Sequence, residues 1–211
     1  MRLPDPIGVY AILDAGTMPP DDLPAAAATM AAAGIRVFQV RAKALPGGAL
    51  LRLVAAVRAA LGPDPVLLVN DRVDVAALAP CDGVHLGDGD LPVADARRIL
   101  GPGAIVGFST HAPDEAAAAH GADYVGFGPV FATATKTTGR PTLGPDGLRR
   151  ACAGTTVPVV AIGGIGIPQV GAMRRAGASG VAMIAALLVP GRVAETAAAA
   201  VAAFAGAGGD A

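Results

Sequence analysis

Short apolar runs recur along the chain, each ending in a polar or glycine-bearing turn and followed by an alanine-rich stretch with helical spacing. The strand-like runs are Ile7–Leu13, Ile35–Val40, Val66–Val69, Gly83–Leu86, Ala104–Phe108, Asp123–Phe127, Pro158–Ile162 and Ser179–Ile184. Helical stretches are expected near 21–33, 48–61, 72–79, 92–100, 113–120, 144–153, 167–176 and 191–205. Eight strands and eight helices therefore alternate strictly. The strands are nearly continuous in apolar residues, as expected of a parallel sheet covered by helices. An internal echo supports the count. Ala33-Gly34-Ile35, Gly121-Ala122-Asp123 and Gly177-Ala178-Ser179 share one shape, with Pro80-Cys81-Asp82-Gly83 a weaker copy, and in each clear case a glycine ends a helix before the next strand. The pattern predicts an α/β fold, a (β/α)8 TIM barrel, as one domain over residues 1–205 with a frayed tail at 206–211. A doubly wound sheet would carry a glycine-rich loop after its first strand, and Asp14-Ala15-Gly16-Thr17 does not fit one.

Composition narrows the function classes. Of 211 residues, 53% are hydrophobic and 16% charged, enough for a buried core and too apolar for disorder. No apolar run free of Gly, Pro and charge reaches the roughly 18 residues of a membrane span. The start, MRLPDPIGVY, shows no apolar signal-peptide segment, so a cytoplasmic protein with no membrane partner is expected. A net charge of -1 without like-charge blocks, and the absence of Trp, argue against nucleic acid. Cys81 and Cys152 have no metal-ligand spacing and read as buried free thiols. Homo-oligomerisation is left open.

A barrel builds its site where its strands end. Past the second strand lie Gln39, Arg41 and Lys43; past the third, Asn70 and Asp71; past the fourth, Gly87-Asp88-Gly89-Asp90. Ser109-Thr110-His111 comes after the fifth strand, Gly128 to Lys136 after the sixth, Gly163-Gly164 after the seventh, and Ile184-Ala185 after the eighth. Asp71 and Asp90 each have two readings. Each could cap the helix just beyond it. Alternatively, since neighbouring strands lie about 4.8 Å apart, the two carboxylates could share a hard cation. Mg2+ suits this, using one or two carboxylates and taking its other ligands from water and substrate phosphates. Gly163-Gly164 before a helix near Pro168 suits a phosphate held by backbone N–H groups. Thr133-Ala134-Thr135-Lys136 adds two hydroxyls and an ammonium for oxyanions. His85, inside a strand, reads as a barrel-interior histidine; His111 has no Ser-His-Asp order around it.

Taken together, Gln39–Lys43 (QVRAK), Asn70–Asp74 (NDRVD), Asp82–Leu86 (DGVHL) leading to Asp90-Leu91-Pro92, Gly107–His111 (GFSTH), Asp123–Lys136 (DYVGFGPVFATATK) and Pro158–Ile165 (PVVAIGGI) resemble the thiamine-phosphate synthase family along nearly the whole chain. The resemblance implies a transferase that joins a pyrimidine diphosphate to a thiazole phosphate and releases pyrophosphate. It implies Mg2+ on Asp71 and Asp90, and phosphorylated small molecules as partners. Gln39, Val40, Arg41, Ala42, Lys43, Asn70, Ser109 and Lys136 would then contact the pyrimidine diphosphate, with Arg41, Lys43, Ser109 and Lys136 as catalytic groups. Thr133, Ala134, Thr135, Gly164, Ile184 and Ala185 would line the thiazole phosphate site. The chain departs from the family pattern at Ala42, usually Glu, at Asp88-Gly89, usually Gln-Glu, and at Ala185, usually Ser. A related thiazole tautomerase is a competing resemblance, but its strand-six histidine is Pro129 here and both aspartates are present. A non-catalytic binder of a phosphorylated metabolite is the remaining alternative.

Overall fold

The computed structural model describes residues 2–133 and 141–208. Its strands are β1 (Gly8–Asp14), β2 (Val37–Arg41), β3 (Val66–Asn70), β4 (Gly83–Leu86), β5 (Ile105–Thr110), β6 (Tyr124–Phe127), β7 (Val159–Ile162) and β8 (Gly180–Met183). Each is succeeded by a helix: α1 (Leu23–Ala32), α2 (Gly47–Leu61), α3 (Val73–Ala76), α4 (Val93–Leu100), α5 (Pro113–Ala118), α6 (Gly144–Gly154), α7 (Ile167–Arg175) and α8 (Val193–Gly206). All neighbouring strands pair in parallel, and β8 returns to β1 through Gly8↔Gly180 to Ala11↔Met183, closing the barrel. The (β/α)8 architecture expected from the alternation is therefore the observed one.

The continuous apolar runs resolve into two cores. Successive side chains of a strand point to opposite faces. Val9, Ala11, Leu13, Phe38, Val40, Leu67 and Val69 face the helices. Tyr10, Ile12, Val37, Val66, Leu68, Ile105, Tyr124 and Val160 fill the barrel interior. Because both faces are buried, no strand needs the apolar/polar alternation of a half-exposed sheet. The largest departure from the expected helices is α3, which is one turn long and gives way to turns and bends over residues 77–82. Both thiols are free and half-buried, and burial pushes Cys152 up to about 11.

The internal echo has a structural basis at the closed end of the barrel. The Asp82 carboxylate accepts from the Leu67 N–H at 2.8 Å and from Arg58 of α2 at 2.6 Å. Asp123 repeats this, accepting from the Val106 N–H at 2.7 Å and from Arg97 of α4 at 2.6 Å. Each arginine also caps loop carbonyls, Arg58 at Gly62 and Pro65, Arg97 at Ala104 and Gly121. An aspartate entering one strand thus ties down the preceding strand and a neighbouring helix.

Hydrogen bonds to a charged group contribute about 1.5–3 kcal/mol. Asp82→Ala should therefore lower Tm by roughly 5–10 °C, since a domain of this size shifts about 2–4 °C per kcal/mol. Arg192→Ala, which removes an exposed pair with Glu195, should move Tm by less than about 2 °C. Thermal unfolding tracked by circular dichroism distinguishes them; equal shifts would contradict this role for Asp82.

Candidate active site

The open end of the barrel holds a cavity of about 430 Å3. Its wall includes Gln39, Arg41, Asn70, Ser109, Thr133, Gly164, Ile184 and Ala185, all expected from the sequence to meet ligand. The pleat explains the choice along β2. Gln39 and Arg41 point into the barrel, whereas Val40 and Ala42 are buried in the core beneath the helices. Their side chains face away from the cavity, so the contiguous Gln39–Lys43 run divides into inward polar and outward apolar positions. Ala134, Thr135 and Lys136 lie outside the described residues.

The two aspartates are not helix caps. The residue preceding α3 is Arg72 and that preceding α4 is Pro92, and neither helix start has a side-chain cap bond. Asp71 instead turns the chain out of β3 at φ 63°, the only positive φ of a non-glycine residue among those described. Aspartate tolerates this left-handed region better than most side chains, at some cost in backbone energy. The Asp71 N–H donates to the His85 carbonyl at 2.8 Å, fixing the turn against β4. Asp90 folds back within its own loop, Oδ2 accepting from the Gly87 N–H at 2.7 Å. The carboxylates then lie close enough to interact, and Lys43 Nζ sits 3.0 Å from Asp71 Oδ2. The Asp90 carboxyl is pushed up, first by burial and then by its neighbour Asp71, against the opposing pull of the Gly87 N–H and Lys43. Two like charges held together beside one ammonium form a pair that a hard divalent cation would relieve.

Other residues complete this mouth: His85 is the barrel-interior histidine expected from the sequence, whereas the sequence pattern gives Asp14, Tyr10 and Tyr124 no part there. Asp14, at the end of β1, is 3% exposed. It accepts from Arg41 Nη1 at 2.6 Å and from Thr17 Oγ1 at 2.9 Å. One edge of the Arg41 guanidinium is thereby clamped while its side chain still lines the cavity. His111 Nδ1 donates to the Gly128 carbonyl at 2.6 Å, and its Nε2 lies 3.8 Å from Asp88. Tyr10, His85 and Tyr124 also line the cavity from inside the barrel. Burial raises both phenols well above their ordinary range.

The loop after β7 is shaped by backbone approach. Gly163 and Gly164 both take positive φ, 99° and 64°. A Cβ on Gly164 would meet the Ala132 carbonyl at 2.2 Å, and one on Gly163 would meet Pro129 at 2.6 Å. Only glycine lets this loop lie against the segment beyond β6. Immediately past the loop α7 begins, with Gln169 Oε1 accepting from the Gly166 N–H at 3.1 Å. Glycine loop, helix start, Thr133 and Ala185 together border one side of the cavity, and Arg41 and Asn70 contribute to its wall from β2 and β3.

A barrel with a cationic and carboxylate-bearing mouth and a glycine loop after its seventh strand is the arrangement of an enzyme acting on phosphorylated small molecules. Comparison with known proteins makes this specific. The thiamine monophosphate synthase family model matches residues 9–187. The chain is 48% identical over 157 residues to the thiamine-phosphate synthase of Anaeromyxobacter dehalogenans, covering 74% of this chain and 71% of that protein. It is 40% identical over 193 residues to that of Myxococcus xanthus, covering 90% and 88%. Among solved structures, thiamine phosphate pyrophosphorylase from Pyrococcus furiosus superposes with a TM-score of 0.88 at 30% identity, covering 97% of this chain and 98% of that one. The chain belongs to the thiamine monophosphate synthase family, and the relatives it matches here are named as thiamine-phosphate synthases, which are transferases.

The raised Asp90 carboxyl carries a sign. With the folded-state value above the unfolded one, its stabilising contribution is present below the ordinary carboxylate range and is lost as pH rises through the raised value. At neutral pH, without divalent cation, Asp90→Asn should therefore raise Tm or leave it unchanged, the amide oxygen still accepting from Gly87. A clear fall in Tm would mean that the charge is stabilising in the free protein.

Proposed function

We propose that this protein couples 4-amino-5-hydroxymethyl-2-methylpyrimidine diphosphate to 4-methyl-5-(2-phosphoethyl)thiazole, or to its carboxylated form. The products are thiamine phosphate and pyrophosphate, with CO2 from the carboxylated substrate. The observation that carries the reading is the adjacent pair Asp71–Asp90 beside Lys43, uncommitted to helix capping, with Asp71 directly following the cavity-lining Asn70. Bound there, Mg2+ would neutralise charge on the diphosphate and make it a better leaving group.

The bond that breaks joins the pyrimidine methylene to the diphosphate oxygen, and its electron pair leaves with pyrophosphate. The aminopyrimidine ring delocalises the resulting methylene cation, which the thiazole nitrogen lone pair captures. That nitrogen carries no proton, so no general base is required. Arg41, clamped by Asp14, and Lys43, beside Asp71, would stabilise charge gathering on the leaving group, which is electrostatic catalysis. Lys136 joins them in this proposal on the strength of the family motif. Asn70 and Ser109 offer hydrogen bonds from the same wall, while Gly164, Thr133 and the Ile184-Ala185 turn border the place proposed for the thiazole phosphate. The reading extends to a cytoplasmic enzyme with small phosphorylated partners rather than nucleic acid. No helix among the described residues is long and apolar enough to cross a membrane.

Purified protein incubated with both substrates and Mg2+ should form thiamine phosphate, monitored as thiochrome fluorescence, and should stop on chelation. Absence of product with Mg2+ present would overturn the proposal and favour a binding protein. Asp71→Asn and Asp90→Asn should each lower kcat/KM by about 100-fold or more, equivalent to at least about 2.7 kcal/mol of lost transition-state stabilisation; wild-type rates in both would remove the metal assignment. Ala185 is exposed to the cavity. A hydroxyl there could donate to the thiazole phosphate, so Ala185→Ser should lower KM for that substrate by roughly tenfold. An unchanged KM would mean the backbone already satisfies it.

A further inference from the structure

The floor of the cavity contains a continuous hydrogen-bond chain whose inner members, Tyr10, Tyr124 and His85, have no part in the proposed reaction. Gln39 Nε2 lies 2.6 Å from the Tyr10 hydroxyl, which lies 2.9 Å from the Tyr124 hydroxyl. That hydroxyl is 2.8 Å from His85 Nδ1, and His85 Nε2 is 2.9 Å from Ser109 Oγ. The chain starts on β2, passes through β1, β6 and β4, and ends on β5. Two inward-facing glycines make room for it. A Cβ on Gly107 would lie 2.2 Å from the Tyr124 ring, and one on Gly126 would lie 3.2 Å from His85 Cε1.

Counting protons gives the chain a direction. Each phenol has one O–H and a neutral imidazole has one N–H. Burial disfavours ionisation of both phenols, so each keeps its proton. With the Gln39 amide nitrogen donating to Tyr10, the Tyr10 O–H is directed to Tyr124. The Tyr124 O–H is then directed to His85 Nδ1, which leaves the imidazole proton on Nε2, donated to Ser109. At one end Gln39 Oε1 remains an acceptor. At the other, the Ser109 O–H remains a donor.

We propose that this chain sets the polarity of the pyrimidine diphosphate site: through Tyr10, Tyr124 and His85 it makes the β2 end accept a hydrogen bond and the β5 end donate one. A single ligand carrying an amino group at one end and an anionic oxygen at the other satisfies both ends. An aminopyrimidine diphosphate is such a molecule, so the identity of the ligand rests on the function proposed above, whereas the direction of the chain does not. Tyr10, Tyr124 and His85 are positioning residues, and they act through Gln39 and Ser109.

The test begins with long-range 1H–15N spectra of ligand-free protein labelled at histidine, His85 being assigned by the signal lost in His85→Asn. The expected state is the Nε2–H tautomer, and an Nδ1–H tautomer would overturn the proposal by reversing every bond. Tyr124→Phe should abolish the single tautomer and raise KM for the pyrimidine diphosphate about tenfold, with KM for the thiazole phosphate within about twofold. Retention of both the tautomer and the pyrimidine KM would also overturn it. Tyr10→Phe, which cuts the chain next to Gln39, should raise the same KM, and it serves as the kinetic test if Tyr124→Phe does not fold; an unchanged KM there would overturn the proposal. The tautomer is read without turnover, so a failure of the proposed reaction is distinguishable from a failure of the chain's direction.

Discussion

Closure of the sheet is the constraint on which the rest of the molecule depends. Pairing of Gly8–Ala11 with Gly180–Met183 brings the last strand beside the first, so that all eight strand ends converge on one mouth. It also removes sheet edges, which would otherwise expose unpaired backbone groups. With the inside and the outside of the barrel both dry, polar side chains can be accommodated only at the ends or in satisfied networks. The two ends have diverged accordingly. At the closed end, Asp82 and Asp123 are fully engaged by backbone N–H groups and arginines. At the mouth, Asp71 and Asp90 lie together with Lys43 against Asp71.

That contrast separates stability from chemistry. The closed-end carboxylates each accept from a strand N–H and a guanidinium, an arrangement that fixes strands and helices in register. The mouth carboxylates sit in a strained turn and in a loop that folds back on itself, with one carboxyl raised by burial and by the other. Native structures concentrate such unfavourable arrangements where function needs them. Arg41 is intermediate: Asp14, itself held by Thr17, clamps it from behind, so it can meet an anion without first being ordered.

Much of this was legible in the sequence, and the limits are physical. The alternation of apolar runs and alanine-rich segments was enough for the barrel, because continuous strand hydrophobicity reflects burial on both faces. Glycines before strands marked the helix ends. The mouth residues Gln39, Arg41, Asn70, Ser109, Gly164 and Ala185 were legible because a barrel gathers the C-terminal ends of its strands at one mouth, and each of these residues stands within two positions of such an end. The capping alternative for Asp71 and Asp90 stayed open in the sequence, since cap geometry depends on where the helix starts, and both helices start one or two residues too late for it. Val40 and Ala42 share one contiguous motif with Gln39, Arg41 and Lys43, whereas a pleated strand offers only alternate side chains to one face. Tyr10 and Tyr124 look like ordinary core aromatics in their strands. Their partnership with His85 depends on the register of several strands, which no local pattern encodes, although Gly107 and Gly126 inside otherwise apolar strands were a visible sign of close packing.

The central claim is that Asp71 and Asp90 hold one divalent cation on the leaving diphosphate. Anomalous diffraction from crystals soaked with Mn2+ and pyrophosphate tests it most directly. The account predicts a single anomalous peak within about 2.1 Å of an oxygen of each carboxylate, the distance of a small hard cation, with pyrophosphate oxygens completing its coordination. A peak elsewhere in the barrel, or on one carboxylate alone, would contradict it.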